Sequence, residues 1–207
     1  MIIKCCGLNP TRDVQVCLDL NVDFLGFIFY EKSPRNLKIS DLDILNNYNR
    51  NNALFTAVTV NADNQMIDQI SSKNIQCLQL HGSETNERIE EIKNRSKLKI
   101  IKTIQVKNEN DIIKYKKYIN ADYILFDTPS MEKSIEFPSN LIQKLPIGKN
   151  FALAGSISEQ NIENIAKLGV KFCDLSSKLE TKLGIKDHKK IKKFMDKVKK
   201  INENTSF

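Results

Sequence analysis

Residues 2–29 read Ile2-Ile3-Lys4-Cys5-Cys6-Gly7-Leu8-Asn9-Pro10-Thr11-Arg12-Asp13-Val14-Gln15-Val16-Cys17-Leu18-Asp19-Leu20-Asn21-Val22-Asp23-Phe24-Leu25-Gly26-Phe27-Ile28-Phe29. An apolar run from Ile2 to Cys6 is followed by a short loop and then by Val14, Cys17 and Leu18 at helical spacing. A second apolar run opens at Phe24, so the stretch is one strand–helix–strand unit. Neither run alternates cleanly, which is the pattern of parallel strands covered on their outer face by helices.

The same unit recurs to the end of the chain. Further apolar runs span Leu54–Val60, Ile75–Leu80, Leu98–Ile104, Tyr123–Phe126, Phe151–Ala154 and Phe172–Leu175, giving eight candidate strands. Between them, Leu42/Leu45, Met66/Ile70, Ile89/Ile92, Ile112/Tyr115/Ile119, Leu141/Leu145 and Ile162/Ile165/Ala166 carry helical periodicity. Ser40, Ser83 and Ser158 stand where helix-opening residues are expected. Eight such units in 207 residues predict an α/β fold, a single-domain (β/α)8 TIM barrel over 1–207 with a frayed tail at 201–207. An open doubly wound sheet is the alternative; it would show a glycine-rich turn after the first strand, and Gly7-Leu8-Asn9-Pro10 is not one.

Composition narrows the function classes. The chain has 41% hydrophobic residues and a formal charge of +7, with a pI near 9.1. Much of the excess lies between Lys182 and Lys200, where Ile191, Phe194, Met195, Val198 and Ile201 recur at helical spacing. The lysines therefore read as the solvated face of a docked helix, and no aromatic or glycine-rich motif marks a nucleic-acid partner. Five cysteines with no Cys-x-x-Cys pair argue against a disulfide framework or a zinc site. No apolar run reaches membrane-spanning length, and the first residues lack a signal-peptide layout, so a cytoplasmic protein with no membrane partner is expected.

A TIM barrel builds its active site at the C-terminal ends of its strands. The residues there are Cys6, Ser33-Pro34-Arg35, Asn61, His81-Gly82, Gln105, Asp127, Gly155-Ser156 and Ser176-Ser177. Strand alternation puts Cys6 and Lys4 on one face and Cys5 on the other. A lone Cys is usually a small buried hydrophobe; the strand-end position of Cys6, with Asp127 able to converge on it, points to proton transfer. A thiol acting as a base at neutral pH requires nearby positive charge, since its ordinary pKa is about 8.5. Asp127, at the edge of an apolar run, is either a loop cap or a carboxyl kept neutral enough to act as an acid. Gly155, Ser156, Ser176 and Ser177 sit where barrels bind phosphate through loop amides. Arg35 is either a surface charge or a bidentate carboxylate binder. His81 is either a base or a hydrogen-bonded packing residue, and sequence alone locates no carboxylate to set its state.

Taken together these segments resemble the phosphoribosylanthranilate isomerase family. Lys4-Cys5-Cys6-Gly7-Leu8 resembles its Lys-Ile-Cys-Gly opening, and Asp23-Phe-Leu-Gly-Phe-Ile-Phe-Tyr-Glu-Lys-Ser-Pro-Arg35 its second strand and loop. The resemblance continues through Leu78–Gly82, Tyr123–Thr128, Leu153–Ser156, Asp174–Ser177 and Gly184–Asp187, in order along essentially the whole chain. It implies an Amadori rearrangement of N-(5-phosphoribosyl)anthranilate in tryptophan biosynthesis. Asp127 is then the general acid and Cys6 the general base. Arg35 holds the anthranilate carboxylate, and Asp174 and His81 contact the substrate. Gly155, Ser156, Ser176 and Ser177 are the expected phosphate contacts, with Lys178 supplying a direct charge there in place of a glycine. No cofactor and no metal are implied, because the iminium is the electron sink, and the partners are a small phosphorylated substrate and at most a second copy, as a monomer or homodimer.

Three departures from the family pattern fall in loops. The glycine-rich segment after strand 6 is shortened to Pro129-Ser-Met-Glu-Lys133-Ser134, the second glycine after strand 7 is Ser156, and the glycine after the paired serines is Lys178. The alternatives are a related barrel isomerase for another phosphorylated aminosugar, and a non-catalytic barrel that only binds a phosphorylated metabolite. A metal-dependent sugar-phosphate epimerase fits less well, because two histidines leave too few ligands.

Overall fold

In the computed structural model, which describes residues 1–129 and 137–204, the eight apolar runs form β1 (Ile2–Cys6), β2 (Phe24–Phe29), β3 (Leu54–Thr59), β4 (Cys77–Leu80), β5 (Lys99–Gln105), β6 (Tyr123–Asp127), β7 (Phe151–Leu153) and β8 (Phe172–Leu175). They are joined in sequence order into a closed barrel. Closure is made by β1, which pairs in parallel with β2 through Lys4 opposite Phe24 and with β8 through Ile2 opposite Phe172. The open-sheet alternative is thereby removed.

Helices α1 (Val14–Asp19), α2 (Asn64–Ser71), α3 (Asn86–Ser96), α4 (Glu109–Ile112), α5 (Ser139–Ile142), α6 (Ile162–Lys167) and α7 (His188–Asn204) cover the outside. A 3-10 helix, Ile39–Asn47, replaces an α-helix between β2 and β3 and still buries Leu42 and Leu45. Another, Ile113–Lys117, continues α4. Ile119, read as part of that helical face, lies beyond it and is exposed. The outward residues of the strands, among them Ile3, Leu25, Phe27, Phe55 and Phe126, pack with the helices in one core, and Cys5 joins Cys17 there. Inward residues Phe24, Cys77, Ile101, Leu125, Ala152 and Phe172 form a second, smaller core inside the barrel.

Helix α7 buries Ile191, Phe194 and Val198 and turns Lys192, Lys193, Lys199 and Lys200 to solvent, as its spacing predicts. Within the expected tail, residues 201–204 continue α7 to Asn204, and the N-terminal ammonium of Met1 donates to Asn202 Oδ1 at 2.7 Å. Residues 205–207 lie outside the described part, as do Lys133 and Ser134 of the shortened loop. The helix-opening serines are also displaced. Thr85 caps α3, accepting from the amide of Arg88, and Ser83 stands two residues before it. No helix among the described residues is long and apolar enough to cross a membrane.

A hairpin that the sequence reading passed over follows β8. Strands β9 (Glu180–Lys182) and β10 (Ile185–Lys186) pair antiparallel across Gly184, directly beside the mouth of the barrel.

Candidate active site

The strand ends bring Cys6, His81, Asp127 and Asp174 into one interior, at the C-terminal mouth. Cys6 ends β1 and is buried; its backbone carbonyl accepts from the Ser176 hydroxyl at 3.1 Å. Asp127 ends β6, separated from β1 by β7 and β8 in the closed order, and its partly exposed carboxyl faces the mouth. His81 supplies what the sequence left open: its Nε2 lies 3.3 Å from Asp127 Oδ2, while Asp127 Oδ1 accepts from the Thr128 amide at 2.8 Å. The carboxyl is thus oriented from two sides.

Deeper in the barrel, the Lys4 ammonium donates to Asp174 Oδ2 at 2.8 Å, with side chains 1% and 7% exposed. Asp174 Oδ1 is buried with no hydrogen-bond partner among the described residues. Burial pushes the Asp174 carboxyl above its usual range, opposed by Lys4 and reinforced by Asp127. Burial likewise pushes the Cys6 thiol up, against the attraction of Lys4. Cys6 therefore rests as a thiol at neutral pH.

Arg35 is no surface charge. Its Nε and one Nη donate to Glu180 Oε1 and Oε2 at 2.6 and 2.7 Å, a bidentate pair. Lys186, fully buried, donates to the same carboxylate at 2.7 Å and to the Ser176 carbonyl at 3.1 Å. Burial alone would raise the Glu180 pKa, yet the hydrogen bonds from Arg35 and Lys186 hold it down at about 2. The chain of contacts Arg35–Glu180–Lys186–Ser176–Cys6 ties the loop after β2, the β9–β10 hairpin and the end of β1 into one unit.

Two backbone features shape the mouth. Gly26 lets β2 pass Cys6: a Cβ there would lie 2.9 Å from the Cys6 sulfur and 3.0 Å from its Cα. At the end of β7, Gly155 and Ser156 both have positive φ, 104° and 52°. Consecutive amides in such a turn form a concavity suited to anions, and Ser156 holds a left-handed conformation that glycine would adopt more easily. Ser177 opens a 3-10 turn, Ser177–Leu179, and Lys178 within it is exposed. Among the described residues no group of three or more His, Cys, Asp or Glu side chains could hold a metal ion.

Other strand-end residues have structural tasks. Asn61 Oδ1 accepts from the Ser83 amide, and Gln105 points to solvent. Glu84, which follows Ser83, is buried. It accepts from Lys102 at 2.8 Å, and from the amides of Asn61 and Gly82 at 2.8 and 3.2 Å, fixing the ends of β3 and β4 beside His81.

Residues 3–197 match the family model described as N-(5'-phosphoribosyl)anthranilate (PRA) isomerase. The chain belongs to that family. It is 35% identical over 195 residues to the N-(5'-phosphoribosyl)anthranilate isomerase of Sinorhizobium medicae, covering 89% of this chain and 91% of that one. It is 34% identical over 208 residues to that of Rhizobium meliloti, covering 96% and 97%. The crystal structure of the phosphoribosyl anthranilate isomerase from Thermotoga maritima superposes with a TM-score of 0.85 at 26% identity, covering 97% of this chain and all of the other. The Thermus thermophilus structure, at 21% identity and a TM-score of 0.86, shares the fold.

Within this isomerase-family barrel, sequence reasoning had named the strand-end residues and missed the pairings beneath and beside them. Glu180 and Lys186 carried one usable signal: two short runs either side of Gly184, which is a hairpin pattern. Lys4 carried another, a lysine on the same strand face as Cys6 and so inside the barrel, where a charge needs a partner.

Proposed function

We propose that this protein converts N-(5-phosphoribosyl)anthranilate to 1-(2-carboxyphenylamino)-1-deoxyribulose 5-phosphate, the Amadori step of tryptophan biosynthesis, with Asp127 as general acid and Cys6 as general base. What supports the reading is that Cys6 and Asp127 both end strands at the C-terminal mouth of one closed barrel, the carboxyl held by His81 and the Thr128 amide. A solved neighbour supports it: a phosphoribosyl anthranilate isomerase in complex with reduced 1-(o-carboxyphenylamino)-1-deoxyribulose 5-phosphate has a TM-score of 0.81 at 27% identity.

Asp127 gives its proton to the furanose ring oxygen as the bond from that oxygen to C1 breaks, leaving an iminium. Cys6 takes the C2 proton, the C–H electrons flow into the iminium, and the resulting enolamine tautomerises to the ketone. Because the iminium accepts the electrons, no cofactor or metal enters this scheme. Arg35 meets the anthranilate carboxylate with the guanidinium edge that Glu180 leaves open, and Asp174 and His81 contact the sugar. Amides at Gly155, Ser156, Ser176 and Ser177 hold the phosphate, and the exposed Lys178 adds charge where the family pattern has glycine. The enzyme works in the cytoplasm as a monomer or homodimer, without a nucleic-acid or membrane partner.

The test follows the loss of phosphoribosylanthranilate fluorescence with the parent chain, Cys6→Ala and Asp127→Asn. Turnover by the parent with about a 10³-fold or greater loss in each variant is expected for paired acid–base residues. A folded parent without turnover sinks the proposal. Turnover of a different phosphorylated aminosugar by that parent would move the assignment to a related isomerase.

A further inference from the structure

The Lys4–Asp174 pair lies buried in the barrel interior, one strand repeat below Cys6. Lys4 and Cys6 share one face of β1, and Gly26 on the neighbouring strand marks how closely their ends gather: its absent Cβ would lie 2.9 Å from the Cys6 sulfur and 3.2 Å from the Lys4 nitrogen. The same ammonium donates to Asp174 at 2.8 Å, and the second carboxyl oxygen of Asp174 is buried with no partner among the described residues. One buried cation therefore faces two groups, each able to carry a single negative charge.

We propose that Lys4 is a positioning residue for the Cys6 thiolate, and that Cys6 becomes a base by passing its proton to Asp174 within this cluster. The inference rests on Cys6 being the general base. At rest the charges are a Lys4 ammonium, an Asp174 carboxylate and a neutral thiol. The S–H bond breaks with its electron pair staying on sulfur, and the proton forms an O–H bond at Oδ1 of Asp174. The cluster ends as an ammonium, a neutral carboxyl and a thiolate.

Net charge is the same before and after, so the barrel interior is not asked to hold a second anion, the state that burial penalises most. Ionising Cys6 to solvent instead would leave two anions against one cation. The other charged groups do not replace Lys4. Lys186 on β10 and Arg35 after β2 reach Cys6 from the side, but both are bound to Glu180. Asp127 on β6 and His81 after β4 face Asp174, and their effects on it oppose each other. Burial raises the Asp174 carboxyl, which makes it a better proton acceptor than an ordinary carboxylate.

The experiment measures the pH dependence of Cys6 alkylation by iodoacetamide in the full chain, with Cys6→Ala to subtract the other cysteines, all of which are buried. Lys4→Met is expected to move the profile to higher pH and slow alkylation at neutral pH by about tenfold or more, one pKa unit being tenfold in thiolate. Asp174→Asn is expected to move it to lower pH and speed alkylation, because the thiolate becomes the sole partner of Lys4. Lys4→Arg restores most of the parent profile. Profiles of folded Lys4→Met and Asp174→Asn that superimpose on the parent, or that move in the same direction, overturn the proposal. If Lys4→Met does not fold, Asp174→Asn decides alone, and an unchanged or alkaline profile is refutation. No substrate is involved, so opposite shifts in a chain without isomerase turnover would keep the cluster and remove only the isomerase reading.

Discussion

Glu180→Gln removes one negative charge and almost no volume, and it acts on the carboxylate that Arg35 and the buried Lys186 share. The ordinary glutamate value of 4.5 falls to about 2 in the folded chain. At about 1.4 kcal/mol per pKa unit, that gap corresponds to roughly 3 kcal/mol of stability. The range of ~3–5 kcal/mol for breaking a buried ion pair agrees with it. Since the folded pKa lies below the unfolded one, the contribution is fully present above pH 4.5 and is lost as the pH falls toward about 2. Urea unfolding of the parent should therefore show a stability loss across that acid window, and Glu180→Gln should be about 3 kcal/mol weaker at neutral pH with the acid limb flattened. Because Glu180 also orients Arg35, the variant should raise KM for the carboxylate-bearing substrate more than it lowers kcat. A variant within about 1 kcal/mol of the parent at neutral pH, with the same acid limb, would refute the claim that this network is held by charge.

Two further stability outcomes follow from the same reasoning. Ser156→Gly relieves a left-handed backbone, φ 52°, and should stabilise the chain by about 0.5–1 kcal/mol in urea or thermal melts; a loss of stability would mean that the serine side chain outweighs the strain. Lys102→Met leaves Glu84 as an unpaired buried charge and should cost roughly 3–5 kcal/mol. Adding Glu84→Gln should recover at least about 1 kcal/mol of that by removing the orphaned charge, and a double variant no better than the single would show that Lys102 contributes mainly by packing.

The eight strands were legible because a parallel strand covered on both faces must be apolar nearly throughout, and each such run lies within a residue or two of the strand it becomes. Closure was not legible, since the Ile2–Phe172 register that seals the barrel joins opposite ends of the chain. The helical starts were misplaced for a local reason. A serine, threonine, aspartate or asparagine can cap from several neighbouring positions, and burial of Glu84 on Lys102 moved the α3 cap from Ser83 to Thr85. At the site, strand-end position named Cys6, His81 and Asp127 among the candidates, but only the structure pairs His81 with Asp127. The partners that set their behaviour are far away in sequence: Asp174 is 170 residues from Lys4, and Glu180 is 145 from Arg35. Only the fold brings those charges together.

The barrel interior is divided along its axis, and the division explains why depth governs the chemistry. At the N-terminal end, the ring of Phe24 stacks on Phe172 at 4.9 Å, and Tyr123 meets both edge-on at 5.5 and 6.0 Å, closing that end with aromatic contact. Burial is the largest influence on Cys6 and Asp174, so an exposed lysine at the rim would be a poorer counter-charge than the buried Lys4. A counter-charge placed under the thiol acts through the low-dielectric interior, where its attraction is several times stronger than in water. A base in a buried barrel interior is therefore best supported from within the barrel, by a cation on its own strand.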